Sequence, residues 1–176
     1  MSRSRVGLGV VLVALLLAGC YGSVRDGTVG DPGEDYSGAA DIDLAGVDYR
    51  TATTRVFQRF HQPPASGTLG FLLSEWSVST DGDTNPEFRV SIGGLGVPDP
   101  DQWTVRRLAA QGSTVVCQGQ APGGGYDGDR TISITAPTSC LATGGALADT
   151  VRVSAANDAH RSGNDHTDWT DQVTRD

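Results

Sequence analysis

The sequence predicts an all-β fold: a two-sheet antiparallel sandwich of about seven strands, immunoglobulin-like or jelly-roll-like. Behind residue 47, short segments rich in Val, Ile, Thr, Phe and Trp are separated by clusters of Gly, Pro, Asp and Asn. Several of these segments alternate apolar and polar side chains, as strands with one buried face do. A length of 176 residues suits one such domain. A partly open barrel is the second architecture that fits this pattern.

The first two predicted strands cover 48–60 and 67–79, on either side of a Gln-Pro-Pro turn signal. The second carries apolar side chains on both faces near its start. These side chains are Leu69, Phe71 and Leu73 on one face and Leu72, Trp76 and Val78 on the other. A strand that is apolar on both faces is typical of the middle of a sheet, so we expect 67–79 to be a central strand.

The strands predicted at 87–93 and 130–136 have the clearest alternation. In the first, Phe88, Val90 and Ile92 share one face, opposite Glu, Arg and Ser. In the second, Ile132 and Ile134 share one face, opposite Thr and Ser. We expect these apolar faces to lie in the core. A last strand is predicted at 149–156.

The segment between Asp99 and Cys117 has two interpretations. Asp-Pro at its start and Gly112 later on are helix start and stop signals. A hairpin of strands 102–109 and 113–119 is the alternative, with Ala-Gln-Gly-Ser as its turn. We favour the hairpin, because a helix would leave the sheet one strand short.

The amino terminus has the pattern of an export signal. Two arginines, Arg3 and Arg5, precede an uncharged run from Val6 to Gly19. Leu17-Ala18-Gly19-Cys20 ends this run and resembles the lipobox of bacterial lipoprotein precursors. The resemblance implies a signal peptide over 1–19, cleavage before Cys20 and fatty chains on its thiol. The alternatives are an ordinary signal peptide with an incidental Cys, or a retained transmembrane anchor.

An exported lipoprotein is held at the extracytoplasmic face of the cell membrane. Two or more fatty chains on Cys20 would anchor it stably, since each buried methylene contributes about 0.8 kcal/mol. The membrane is therefore the predicted partner of Cys20. Nucleic acid is not, because a formal charge of −8 opposes binding to phosphates.

Two polar segments flank the predicted sandwich, which we place at 47–157. Residues 20–46 are rich in Gly, Asp and Ser without any period, so we expect a flexible acidic tether. The alternative is that Ile42 and Leu44 begin the first strand. Residues 158–176 are polar and acidic, and we expect them to form a solvated hairpin or a frayed terminus.

Cys117 and Cys140 form an even pair once Cys20 is assigned to lipid. In an exported chain they are most simply a disulfide. We expect it to tie strand 113–119 to the loop after 130–136, with a stabilisation of about 3 kcal/mol from loop closure. The alternative, a redox-active cysteine pair, requires a close spacing such as C-x-x-C, which the sequence lacks.

Three sequence features could bind a ligand. Asp81, Asp83 and Asn85 place oxygen ligands at alternate positions, as a Ca²⁺ loop does, but the EF-hand pattern fails. These residues are also ordinary for a turn, so we expect no cofactor, with Ca²⁺ as the alternative. The Gly-rich segment 123–129 lacks the Lys and helix of a phosphate loop. His160 and His166 in the tail could bind a transition metal, but their spacing is irregular.

No sequence motif identifies an enzyme. No G-x-S-x-G elbow is present, and Glu75 and His61 are the side chains that a hydrolytic site would use. We therefore expect a non-enzymatic binding or interaction module of the bacterial cell envelope, with a protein or glycan partner. Its contact candidates are Trp103, Tyr126 and Trp169. The alternatives are a hydrolase of envelope polymer or a purely structural envelope lipoprotein.

Overall fold

The computed structural model describes residues 27–31, 41–62, 72–93, 99, 101–127, 130–159 and 163–176. Eleven strands lie within these ranges. They are β1 (Thr28–Gly30), β2 (Ile42–Tyr49), β3 (Thr53–Phe60), β4 (Leu72–Ser79), β5 (Phe88–Gly93), β6 (Gln102–Ala109), β7 (Gly112–Gln120), β8 (Thr131–Pro137), β9 (Thr150–Ala159), β10 (Gly163–His166) and β11 (Val173–Thr174). Two short 3₁₀ turns, Pro122–Gly125 and Thr138–Leu141, flank β8.

The strands form the predicted sandwich of two antiparallel sheets. The small sheet has the order β1-β2-β3-β8, and the large sheet has the order β10-β9-β4-β5-β6-β7. The eleventh strand, β11, also pairs with β9, beyond the end of β10. As expected, β4 is central, since it pairs with β5 on one side and β9 on the other; residues 67–71 of the predicted strand, with Leu69 and Phe71, lie outside the described residues.

The core lies between the two sheets and follows the predicted alternation. Phe88, Val90 and Ile92 of β5 are buried, as are Ile132 and Ile134 of β8. Other strands contribute Tyr49, Val56, Phe60, Trp76, Val105, Val151 and Val153. Burial of one side chain in two, as along β3 and β8, is what a two-layer core requires.

The ambiguous segment after Asp99 is the hairpin β6–β7. Ala109 pairs with Gly112, so Ala110 and Gln111 form its loop. Gly112 has a φ of +129°, a value that L side chains rarely adopt. The register shifts between Val105 and Arg106, which leaves Val116 as a β-bulge in β7.

The disulfide is present where it was predicted. Cys117 of β7 is bonded to Cys140 in the 3₁₀ turn that follows β8, across 23 positions of sequence. Because β7 belongs to the large sheet and β8 to the small one, the bond ties the two sheets together at one side of the sandwich.

The structure corrects the amino-terminal boundary of the sandwich. The predicted strand 48–60 is two strands, and the first of them begins at Ile42, as the alternative had it. Ile42, Ala45 and Val47 are buried in the core, while Arg59 pairs with Asp43 at 2.6 Å. Residues 28–30 and 42–46 therefore belong to a sheet. The rest of the predicted tether, the signal peptide and Cys20 lie outside the described residues.

The carboxy-terminal segment forms the predicted hairpin with β9, but its predicted exposure to solvent is corrected. Residues 163–166 and 173–174 pair with one edge of β9, and Asp165, Thr167 and Thr170 are buried. The hydroxyl of Thr167 accepts a hydrogen bond from Ala155 N at 3.0 Å, and that of Thr170 accepts one from Val153 N at 3.1 Å. The Thr167 and Thr170 hydroxyls therefore accept hydrogen bonds from backbone N–H groups at the edge of β9 instead of facing solvent.

The end of the chain joins the two sheets. Asp165 Oδ2 accepts a hydrogen bond from Ile42 N at 2.6 Å. Further on, Asp176 N donates to Tyr49 O at 3.2 Å, and Thr51 N donates to Asp176 O at 2.8 Å. Residues 163–176 thus run from β9 to β2 and close this side of the sandwich.

Within the described ranges, no helix has the length and apolar character needed to span a membrane.

Candidate functional site

A groove of about 600 Å³ lies on the small sheet, where residues 172–176 run beside β2 and β3. We call it the small-sheet groove. The side chains that define it are Asp48, Arg50, Arg55, Phe57, Gln172 and Asp176. Its volume falls in the range of about 300–1,000 Å³ that is usual for ligand pockets.

Phe57 gives the groove an aromatic surface. It pairs with Gly46 across β2 and β3, and a Cβ on Gly46 would lie 2.6 Å from the Cζ of Phe57. Only glycine therefore lets the ring approach β2 this closely. The guanidinium carbon of Arg55 is 5.4 Å from the ring centroid, within the range of a cation–π contact.

Charges of both signs border this aromatic surface. Arg50 forms a two-contact ion pair with Asp48, with Nε to Oδ1 at 2.9 Å and Nη2 to Oδ2 at 2.7 Å. Hydrogen bonding to Asp48 raises the pKa of the Arg50 guanidinium above its usual value. Arg55 pairs with Asp127 at 3.5 Å. Exposed pairs of this kind contribute little to stability, so their charges are available to a ligand.

The opposite wall of the groove is residues 172–176, and the backbone holds it in place. Val173 pairs with Val151 of β9, and the hydroxyl of Thr51 donates a hydrogen bond to the carbonyl of Asp176. Gln172 and Thr174 are exposed. Thr174 offers a hydroxyl, and the amide nitrogen of Gln172 lies against Gly82, where a Cβ would be 2.2 Å from it. The groove therefore has preformed walls.

The groove combines an aromatic ring with hydrogen-bond donors and acceptors at fixed positions. Guanidinium and amide groups donate, and carboxylate and amide oxygens accept. No His, Cys or Glu occurs among the described residues that line it. The arrangement suits the binding of a polar ligand that carries hydroxyl or amide groups.

The three aromatic residues predicted to contact a partner are buried or half-buried. Trp103 is only 6% exposed, and its ring lies over Gly119, where a Cβ would be 2.3 Å from Cζ2. It is therefore a core residue, which corrects its assignment to an exposed loop. Tyr126 is half-buried against the core and forms a bridge with Ile132. Trp169 is half-buried in the carboxy-terminal segment.

The predicted oxygen ligands lie in the turn between β4 and β5. Carboxylate oxygens of Asp81, Asp83 and Glu87 lie within 4.8 Å of one another. Asn85 instead donates to Asp83, through its backbone N at 2.6 Å and its side-chain nitrogen at 3.0 Å. These hydrogen bonds lower the pKa of the Asp83 carboxyl. The contacts within the turn are those of successive Asx turns, and Ca²⁺ binding here stays the alternative to the prediction of no cofactor.

The side chains expected of a hydrolytic site are not brought together. Glu75 is on β4 and pairs with Arg89 at 3.3 Å. His61, just after β3, lies 3.3 Å from the carbonyl of Asp31. His166 is exposed on β10, and His160 lies outside the described residues.

The sequence reasoning missed the small-sheet groove. Its far wall is more than 110 positions from β3 in the chain, and only the return of residues 172–176 creates the concavity. One signal was available: Arg55, Phe57 and Arg59 alternate with buried Val56 and Phe60. That outward face is richer in Arg and aromatic character than an ordinary solvated strand.

Comparisons of this chain with protein-family models, with curated proteins and with solved structures each find no match.

Proposed function

We propose that the protein is a binding module of the bacterial cell envelope, held at the extracytoplasmic face of the membrane by lipid on Cys20. Its ligand is a polar envelope polymer of glycan type, bound in the small-sheet groove. The observation that carries this proposal is the combination of Phe57 with the charged pair of Arg50 and Asp48 in a preformed concavity. A sugar offers hydroxyls to such charges and an apolar ring face to an aromatic side chain.

The alternative of an envelope hydrolase has less support. A general acid and base must lie within reach of one substrate. The described residues that line the groove include no His, Cys or Glu, and Glu75 lies on the large sheet instead. We therefore propose binding without catalysis.

The groove proposal is tested by co-sedimentation of the purified protein with insoluble envelope polysaccharide. Arg50 and Gln172 are exposed, so we expect their replacement by Ala to leave the fold intact. We expect each variant to bind about tenfold more weakly, since a charged or amide hydrogen bond contributes roughly 1–2 kcal/mol. Arg106→Ala is the matched control, because Arg106 is an exposed arginine on the large sheet. Equal binding by all three variants would place the ligand elsewhere.

The anchor is tested separately by mass spectrometry of the native protein. We expect a mature chain that begins at Cys20 with fatty chains on its thiol. An unmodified Cys20, or one still internal to the chain, would contradict the proposed location.

A further inference from the structure

The outward face of β3 extends beyond the small-sheet groove. Arg55, Phe57 and Arg59 alternate with buried residues along this strand, so their side chains share the outward face of the small sheet. Arg55 and Phe57 line the groove, and Arg59 is the next outward position. Because a strand rises about 3.3 Å per residue, Arg55 and Arg59 are roughly 13 Å apart along β3. The three side chains therefore form a row that continues past the groove.

Small side chains flank Phe57 at the centre of this row. Phe57 pairs with Gly46 of β2 and with Ser133 of β8. On the far side of β2, Gly46 pairs with Thr28 of β1. Because these side chains are short, they leave room on both sides of Phe57 for a ligand that lies along β3.

A second pair of Arg and Asp lies at the far end of the row. Arg59 contacts Oδ2 of Asp43 through both Nε and Nη2, each at 2.6 Å. The two side chains are 40% and 27% exposed. This pair repeats the two-contact arrangement of Arg50 and Asp48 at the groove end of the row. Arginine has five N–H donors, and a carboxylate accepts several hydrogen bonds, so each pair retains donors and acceptors for a ligand.

The positive charges along the row are balanced by carboxylates. Three ion pairs account for its arginines: Arg50 with Asp48, Arg55 with Asp127, and Arg59 with Asp43. Asp176 adds a further carboxylate to the groove. An anionic ligand would meet these carboxylates and be repelled. Uncharged hydroxyl and amide groups can accept from the guanidinium groups and donate to the carboxylates at the same time.

The large sheet offers a contrast within the same molecule. Arg106 donates to Ser113 Oγ at 3.4 Å, and Arg152 donates to the carbonyl of Thr170 at 2.8 Å. Within the described ranges, neither arginine has a carboxylate partner. A guanidinium group without a carboxylate is the better site for an anion. The row along β3 is therefore the surface suited to an uncharged ligand.

We propose that the ligand is an uncharged glycan chain that lies along β3 between the two Arg–Asp pairs, with Phe57 beneath its middle. This inference rests on the proposed function, because it gives the chemical class and the extent of the ligand at the same site. A ligand that spans roughly 13 Å of strand is longer than a single sugar. The protein therefore binds a stretch of polymer several units long.

The first test measures the length of the bound segment. Chitin-derived oligosaccharides, which are uncharged, compete with insoluble envelope polysaccharide for the purified protein in the co-sedimentation assay. We expect the hexasaccharide to compete at least tenfold more strongly than the disaccharide. Arg59→Gln should weaken competition by the hexasaccharide about tenfold and leave that of the disaccharide within about twofold. Arg106→Gln is the matched control, because it removes an exposed arginine from the large sheet, and we expect no change.

The second test measures the charge of the ligand. A hyaluronan hexasaccharide carries a carboxylate on every second sugar, and we expect it to compete at least tenfold more weakly than the uncharged hexasaccharide. Equal or stronger competition by hyaluronan would overturn the inference, as would equal competition by the disaccharide and the hexasaccharide, or an Arg59→Gln variant that behaves as the control does. In each of these cases the unmodified protein still sediments with envelope polysaccharide, so the proposed function stands. Failure of the unmodified protein to sediment would instead reject the proposed function, and this inference with it.

Discussion

Asp165 provides a quantitative test of how the end of the chain is held. Its carboxylate is 4% exposed and accepts hydrogen bonds from Ile42 N at 2.6 Å and from His166 N at 2.8 Å. Ile42 is itself completely buried, so Asp165→Ala leaves the Ile42 N–H without a partner. A hydrogen bond to a charged group contributes about 1.5–3 kcal/mol. We therefore expect the free energy of unfolding to fall by about 2–3 kcal/mol.

The assay is urea denaturation followed by tryptophan fluorescence, together with thermal unfolding. A loss of that size lowers the Tm by roughly 4–12 °C in a protein of this length. Asp165→Asn retains an acceptor oxygen, so we expect a smaller loss of about 1 kcal/mol. Asp168→Ala is the matched control, because Asp168 is exposed, and we expect a change within about 0.5 kcal/mol. Equal stability of the Asp165→Ala and Asp168→Ala variants would refute the link between the chain end and β2.

Three further predictions concern the core and the disulfide. Burial raises the pKa of the Tyr49 phenol above 10.0, so its contribution to stability is fully present below about pH 10 and is lost as the pH rises further. Tyr49→Phe should remove this part of the alkaline decline in the free energy of unfolding, measured by urea titration. An unaltered decline would contradict this prediction. Replacing Cys117 and Cys140 by Ser should cost about 3 kcal/mol, and an unchanged urea midpoint would show otherwise. Gly119→Ala places a Cβ 2.3 Å from Trp103 and should cost about 1–3 kcal/mol; a loss below about 0.3 kcal/mol would count against this packing.

The sequence predicted the strands and the turn whose structure depends only on neighbouring residues. The alternation around Phe88 and Ile132 identified both a strand and its buried face, because the side-chain period of a strand is fixed at two. The Ala-Gln-Gly turn after β6 was likewise correct, since its Gly occupies a backbone conformation that few other residues adopt.

The misplaced boundaries have a common physical cause. Residues 163–176 are rich in Asp and Thr, and residues 42–46 follow a segment rich in Gly and Asp, so composition alone assigns both to solvent. In the structure their polar groups bond to the backbone of another strand, as Asp165 does to Ile42 N across 123 positions. Pairing between segments this far apart cannot be predicted from a local pattern, because the hydrogen-bond partners of these polar groups lie on a strand that is distant in sequence.

Function was the least predictable level, and for a related reason. Trp103 was chosen as a contact residue because it is aromatic, yet it pairs with Gly119 inside the sandwich. Phe57 was passed over, yet it is half-buried and lines the small-sheet groove beside Arg55. Which aromatic side chain faces a ligand depends on strand register and on the return of residues 172–176, and neither is a property of composition.

The most direct test of ligand binding in the small-sheet groove is an amide chemical-shift titration of the isotopically labelled protein with soluble envelope glycan fragments. We predict saturable shifts at Asp48, Arg50 and Gln172, with no change along β7. Shifts that leave these three amides unmoved while another surface responds would contradict the proposed site.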